Sequence, residues 1–245
     1  MTAQKLFRKD CRFFYLALSF FNIGIFAQNS IAEGFFPAMT WEQINTNTID
    51  NIQHILPFDP IILEIGSKSS ENTLSLANKF PYGQIYTFQP DPDLFEILQK
   101  ETAKKENVHV FRHAVSQKRA NIKIFTQEKE VSNQRGVASK TFKRVPSVNL
   151  DEWFLLNVDR IDALKLNLDG IEKSIFKSAA RVIDQCMMVI ISTAHTLNPR
   201  FQSIYKYLFS HLEARGFTRL SYTYTPKKDG DAIYIKNHIY NFFYR

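Results

Sequence analysis

The sequence predicts an α/β fold in which parallel strands alternate with helices. Residues 61–65 (IILEI) are almost continuously apolar, as is typical of a strand buried on both faces of a parallel sheet. Gly66 ends this strand, and the apolar spacing that follows predicts a helix before a second strand at residues 85–88. Two strands joined by a helix form a right-handed βαβ unit, whose ligands bind beyond the carboxyl ends of the strands. The segments Glu64–Gly66 and Gln89–Asp91 occupy those ends, so we expect a binding site there.

The rest of the chain continues this alternation and closes with a predicted antiparallel hairpin. Helical spacing predicts further helices at residues 49–56, 93–105, 150–156, 171–183 and 201–215. Apolar runs predict further strands at residues 108–113, 121–126, 163–168, 188–192, 217–224 and 232–235. Gly216 is expected to end the last helix, and residues 226–230 to join the last two strands. The polar segment 128–144 is the best candidate for a mobile loop over the site.

The composition fits one globular domain with a small extension. The chain has 245 residues, of which 44% are hydrophobic and 22% are charged, and these proportions are ordinary for a folded protein. Its formal net charge is +7, but the domain has no basic run, so we expect no nucleic-acid partner. Cys11 and Cys186 are the only cysteines, which argues against a disulfide framework, and no Cys/His cluster has zinc spacing. We therefore expect no metal site.

The first 32 residues predict a secretory signal peptide or an N-terminal anchor. Four basic residues lie within residues 5–12, an apolar run follows at residues 13–27, and Ser30 and Ala32 form a small-x-small ending. An exported or membrane-associated location is expected, with membrane contact through residues 13–27. The alternative is an amphipathic helix packed on a cytoplasmic domain. The predicted boundaries are 1–32 for the leader, 33–59 for an extension with one helix, and 60–245 for the main domain.

Five short segments together resemble one family of known proteins. The segments are Glu64–Thr73, Phe88–Pro92, His113–Ser116, Val148–Asp151 and Leu164–Glu172. In this order and at this spacing they resemble the FkbM family of class I S-adenosylmethionine-dependent methyltransferases. The resemblance implies a Rossmann-like, seven-stranded methyltransferase sheet with a C-terminal antiparallel hairpin. It also implies S-adenosylmethionine as cofactor and O-methyl transfer to a sugar or small metabolite.

The resemblance also assigns donor-binding residues. By this comparison the donor is bound by Glu64, Gly66, Ser67, Gln89, Asp91 and Ala114. The loop at Gly66 would hold the amino-acid end of the donor, and Glu64 would orient that loop or the donor's amino group. Gln89 stands where the family has a glutamate that binds the ribose hydroxyls. The alternative for Gly66 is an ordinary turn between a strand and a helix.

Four residues are candidates for the catalytic side of the site. They are Asn167, Asp169, Glu172 and His195, which the resemblance places near the transferred methyl group. An amide cannot act as a base, so Asp169 or Glu172 would have to accept a proton from the acceptor hydroxyl. The alternative is that Asp169 and Glu172 form a capping box at a helix start, and that His195 is an ordinary surface histidine.

Four departures from the family pattern support a second hypothesis. Lys68, Ser70, Gln89 and Asn167 replace the family's usual Asn, Gly, Glu and Asp. Ser70 would be strained if its backbone needed a positive φ, and an amide at position 89 should bind a ribose less well than a carboxylate. On that reasoning Gln89→Glu should tighten donor binding. The second hypothesis is a non-catalytic, exported or envelope-associated binding protein on a methyltransferase fold.

Overall fold

The computed structural model describes residues 52–244, apart from residues 54, 68, 127–140, 168–171, 193–198 and 223–230. The predictions for the leader (1–32) and for most of the extension (33–59) therefore lie outside the described residues. Within the described part of the chain, no helix combines enough length and apolar character to cross a membrane.

The described residues form ten strands, and seven of these belong to the central sheet. They are β1 (Ile61–Ile65), β2 (Gln84–Phe88), β3 (Val108–Phe111), β4 (Ala114–Val115), β5 (Asn121–Thr126), β6 (Thr141–Val148), β7 (Ala163–Leu166), β8 (Met188–Ser192), β9 (Phe217–Tyr222) and β10 (Asp231–Lys236). The central sheet has the order β3-β2-β1-β7-β8-β10-β9, and among these described strands β10 runs antiparallel to both of its neighbours, β8 and β9. A small second sheet has the order β4-β6-β5. The predicted parallel neighbours β2, β1 and β7 are confirmed.

In the described part of the chain, seven helices connect or follow these strands. They are α1 (Ser70–Lys79), α2 (Pro92–Thr102), α3 (Leu150–Asn157), α4 (Glu172–Ser178), α5 (Ala180–Gln185), α6 (Pro199–Ala214) and α7 (Asn237–Tyr244). Gly216 follows the end of α6 with a φ of 76°, a left-handed conformation that suits glycine after a helix, as predicted. The α/β fold class with a terminal antiparallel strand pair is therefore confirmed.

Some predicted boundaries were wrong. Residues 171–183 were expected to form one helix, but Ala179 (φ −130°, ψ 27°) separates α4 from α5. The expected loop at residues 128–144 is partly strand, because Thr141 onwards belongs to β6 and pairs with β5. Strand β6 was missed since it carries Lys143, Arg144 and Pro146, which weaken a strand pattern. Helix α7 was also missed.

The central sheet has two different faces. Leu63, Ile65, Leu164 and Leu166 point into a buried cluster that includes Trp153, and this cluster packs under helices α3 to α6. Because side chains alternate along a strand, Glu64 and Lys165 point to the opposite face. That opposite face is the one on which α1 packs, since Thr73 of α1 contacts Glu64.

Aromatic side chains fill part of the apolar face. Trp153 of α3 lies edge-on to Tyr86, Phe88 and Phe111, with ring centroids 5.1, 5.2 and 5.7 Å apart. Phe88 and Phe111 are stacked at 5.1 Å. This packing fixes the ends of β2 and β3 against α3, and it agrees with the large number of Phe residues in the sequence.

Asp162 joins three strands at the opposite edge of the sheet from the predicted site. Its Oδ2 accepts hydrogen bonds from the backbone nitrogen of Ile61 (2.7 Å) and from Nε of Arg160 (3.1 Å). Its carbonyl accepts from the backbone nitrogens of Met187 and Met188. Asp162 therefore aligns the starts of β1, β7 and β8. Burial raises the pKa of this carboxyl group, although the Ile61 amide and Arg160 oppose the shift.

Candidate functional site

The carboxyl ends of β1, β2, β3 and β7 are held together by backbone hydrogen bonds beyond the last ladder residues. The nitrogen of Gly66 donates to Phe88 O (2.9 Å), and the nitrogen of Asn167 donates to Ile65 O (2.9 Å). The nitrogen of Gln89 donates to Phe111 O (3.0 Å). Gly66, Gln89 and Asn167 consequently leave the sheet at one edge, where the sequence placed the site.

The loop between β1 and α1 begins with a glycine whose conformation other residues rarely adopt. Gly66 has a φ of 75°, in the left-handed region. Ser69 is the N-cap of α1 in an extended conformation, and its side chain makes no capping hydrogen bond. Ser70 is already the first residue of α1, so its backbone is helical and needs no glycine. The strain expected from Ser70 is therefore absent.

Ser67 is buried and held through both its carbonyl and its hydroxyl group. Its carbonyl oxygen accepts a hydrogen bond from Nε2 of Gln89 (2.6 Å). Its hydroxyl oxygen lies 2.9 Å from Ser69 O and 2.9 Å from Oγ1 of Thr73. Thr73 donates its only hydroxyl proton to Glu64, so it acts as an acceptor towards Ser67. The single hydroxyl proton of Ser67 is therefore shared between Ser69 O and Oγ1 of Thr73. The loop is therefore fixed at its second residue.

Glu64 is completely buried and is surrounded by donors from the protein itself. Its Oε1 accepts from Nζ of Lys165 (2.9 Å) and from Nδ2 of Asn167 (3.3 Å). Its Oε2 accepts from Oγ1 of Thr73 (2.6 Å). Glu64 and Lys165 are direct register partners on β1 and β7. Of the two roles that the resemblance implied for Glu64, this geometry favours orientation of the loop over contact with a donor amino group.

Gln89 and Asp91 connect the end of β2 to the loop and to α2. The Oε1 of Gln89 accepts from the backbone nitrogen of Asp91 (2.9 Å), while its Nε2 donates to Ser67, and the residue is 4% exposed. Asp91 caps α2, because its Oδ1 accepts from the backbone nitrogens of Asp93 (2.9 Å) and Leu94 (3.3 Å). Both side chains are thus bonded within the protein.

The remaining site residues are only partly described. Ala114 is buried on β4, just after β3. Asn167 directly follows β7 and is 8% exposed. Glu172 begins α4, while its side chain lies outside the description. Asp169 and His195 lie outside the described residues, so their assigned roles stay predictions.

Two residues of this network had been assigned no binding or catalytic role from the sequence. Lys165 is a charged residue in an otherwise apolar strand, and its alternation with Leu164 and Leu166 puts it on the face of Glu64. Thr73 lies on the buried side of α1. A lysine within a buried apolar strand requires a partner of opposite charge. This lysine is the sequence signal that could have identified its pairing with Glu64. Among the described residues, no group of His, Cys, Asp or Glu side chains could hold a metal ion.

Comparison with solved structures identifies the fold. A rRNA methylase from Streptococcus thermophilus has a TM-score of 0.50 at 11% identity, with 82% of this chain and 99% of that chain covered. A Streptococcus mutans protein solved in complex with SAH has a TM-score of 0.50 at 9% identity, with 77% and 95% covered. No curated protein sequence matches the chain. The strand order and the glycine loop after β1 define a Rossmann-like fold of the methyltransferase type.

The family follows from a more specific match. The FkbM methyltransferase domain matches residues 61–219, which is more than half of the chain. The chain belongs to the FkbM methyltransferase family, as the resemblance of its motifs implied. S-adenosylmethionine is accordingly its cofactor.

Proposed function

We propose that this protein transfers a methyl group from S-adenosylmethionine to an oxygen atom of a sugar or another small metabolite. The observation that carries the proposal is the loop at residues 66–69. It leaves β1 through a left-handed glycine, it is held by buried hydrogen bonds, and it leads directly into the N-terminus of α1. Such a loop lets backbone atoms approach a ligand closely.

The start of α1 suits the carboxylate of an amino-acid group. Helices α2 and α3 are capped by the side chains of Asp91 and Asn149, which accept hydrogen bonds from first-turn amides. Ser69 makes no such bond at the start of α1. The N-cap side chain of this ten-residue helix therefore leaves its first-turn amides to other partners, and the positive end of the helix dipole favours an anionic group there. These features fit the amino-acid end of the methyl donor.

Methyl transfer requires the protein mainly to position the acceptor oxygen, and less to activate it. S-adenosylmethionine, when bound, supplies an electrophilic methyl group on its sulfonium sulfur. The residues of the protein have to hold the acceptor oxygen in line with that group and to receive the acceptor's proton. Asn167 has no basic atom, and it already donates to Glu64. We assign the proton to Asp169 or Glu172, with His195 lining the acceptor pocket.

A small-molecule or carbohydrate acceptor rests on the family resemblance and on the charge pattern. The domain has no basic run of the kind that binds nucleic acid, although the chain is positively charged overall at +7. Export or membrane association through residues 1–32, with contact through residues 13–27, stays a proposal from the sequence.

Titration calorimetry on the full-length protein tests the donor step. S-adenosylmethionine and its demethylated product should bind with one site per chain and with micromolar affinity. Transfer of a labelled methyl group to sugars, small hydroxylated metabolites and RNA would then identify the acceptor class. Failure to bind the donor at millimolar concentration would favour the non-catalytic binding protein, and methylation of RNA alone would contradict a small acceptor.

A further inference from the structure

We propose that Gln89 is a positioning residue, which holds the loop after β1 through Ser67. In this role Gln89 does not replace the family's glutamate as the residue that binds the ribose of the methyl donor. This inference rests on the proposed function, because the loop matters only if it binds the methyl donor. The proposed role of Gln89 depends on the N–H donor that an amide has and a carboxylate lacks.

The two hydrogen bonds of Gln89 require an amide. The carbonyl oxygen of Ser67 needs a donor, and Nε2 of Gln89 supplies one at 2.6 Å. The backbone nitrogen of Asp91 needs an acceptor, and Oε1 of Gln89 supplies that at 2.9 Å. A carboxylate could satisfy Asp91, but it has no proton for Ser67. Among the usual side chains of this size, glutamine matches both partners.

The hydrogen bond to Ser67 completes a two-sided attachment of the loop. On one side the hydroxyl of Ser67 reaches Thr73, and through it the buried pair of Glu64 and Lys165. On the other side the carbonyl of Ser67 is bound by Gln89 at the end of β2. Ser67 is 3% exposed and Gln89 is 4% exposed, so water competes little for these bonds. The loop is therefore preorganised from two strands.

The position of the loop predicts which part of the donor depends on Gln89. The loop leads into the amides of α1 that suit an amino-acid carboxylate. Loss of the Gln89 bond should consequently impair ligands that carry the amino-acid end. A ligand that consists only of adenosine should be much less affected. If Gln89 bound the ribose directly, both ligands would lose affinity together.

The substitution Gln89→Glu separates the two roles by the sign of its effect. If residue 89 binds the ribose directly, a carboxylate in place of the amide should increase the affinity for the nucleoside. A positioning residue should fail, because a carboxylate oxygen would then face the Ser67 carbonyl oxygen at the distance where the amide now donates, 2.6 Å. Two acceptors at that distance repel each other, and the loop would be displaced.

The experiment measures binding of S-adenosylhomocysteine and adenosine to the full-length protein and three variants. Gln89→Glu and Gln89→Met remove the donor to Ser67, and Gln99→Glu on the exposed side of α2 is the matched control. We expect both Gln89 variants to bind S-adenosylhomocysteine at least about tenfold more weakly, with less than about a threefold change for adenosine. Gln99→Glu should match the native protein for both ligands.

Tighter binding of S-adenosylhomocysteine by Gln89→Glu would overturn the proposal, as would equal losses for the two ligands. Hydrogen exchange of the peptide that covers residues 66–70 provides a measurement that needs no ligand. Exchange there should be faster in both Gln89 variants and unchanged in Gln99→Glu, and unchanged exchange in the Gln89 variants would also overturn the proposal. A native protein that binds neither ligand would contradict the proposed function, while the exchange measurement would still decide the role of Gln89.

Discussion

Lys165 Nζ lies 2.9 Å from Glu64 Oε1, and these side chains are only 7% and 0% exposed. A buried carboxylate without a counter-charge is very costly, so Lys165 compensates a charge that the site could not otherwise contain. Thr73 and Asn167 add two neutral donors to the same carboxylate. The loop after β1 is thus connected to this ion pair, because Ser67 bonds to Thr73 and Thr73 bonds to Glu64.

Lys165→Met should lower the free energy of unfolding by about 3–5 kcal/mol, because it leaves the Glu64 charge buried and uncompensated. Urea denaturation measures this change. The double variant Glu64→Gln/Lys165→Met removes both charges and should recover most of the loss. Equal destabilisation in the single and double variants would show that the lysine contributes through packing and not through its charge.

Asn167→Asp should destabilise the protein by about 1–3 kcal/mol at neutral pH, because a hydrogen-bond donor is replaced by a second carboxylate next to Glu64. Urea denaturation of Asn167→Asp, with the exposed Asn121→Asp as a control, tests this expectation. Equal stability of the two variants would contradict a donor role for the Asn167 amide.

Gly66→Ala should cost about 1–2 kcal/mol of stability, since alanine disfavours the left-handed conformation that Gly66 adopts at φ 75°. Gly216→Ala is a matched control, because Gly216 has a φ of 76° and its nearest surroundings leave room for a methyl group. Both variants should lose similar stability in thermal denaturation. Only Gly66→Ala should also weaken donor binding, and equal donor affinities would contradict a ligand role for this loop.

Asp162 should make the protein less stable as the pH rises through the pKa range of this carboxyl group. Burial raises its pKa in the folded state, so between its ordinary value and the raised value the folded protein holds more protons than the unfolded chain. Stability therefore falls with rising pH in that window. Asp162→Asn should remove this contribution, and urea denaturation from acidic to neutral pH should show a flatter profile for the variant than for the native protein.

Strand periodicity predicted the centre of the fold well, because buried parallel strands leave a clear apolar signal. Residues 61–65 and 188–192 matched β1 and β8, whereas the break at Ala179 interrupts an apolar pattern that is continuous in the sequence. Strand β6 could not be predicted, because its polar residues give no apolar strand pattern. Its pairing with β4 and β5 is set by tertiary contacts.

The site was predictable in its location but not in its internal bonds. The ends of β1 and β2 follow from the βαβ rule, which brought Gly66 and Gln89 to one edge. The direction of the Gln89 side chain depends on where the Ser67 carbonyl lies, and a carbonyl position in a loop is not encoded in residue spacing. The earlier expectation that Gln89→Glu tightens donor binding is therefore replaced by the opposite expectation.

The pairing of Glu64 with Lys165 also discriminates against misaligned sheets. A one-residue slip of β7 along β1 would place Leu164 or Leu166 beside Glu64 and would turn Lys165 towards the apolar cluster around Trp153. Glu64 and Lys165 would then be unpaired charges in apolar surroundings, and the free-energy cost of burying them would exceed an ordinary gain in packing. The apolar residues of β1 and β7 alone would distinguish the native register from a one-residue slip less strongly, because only the ion pair adds the cost of two unpaired buried charges.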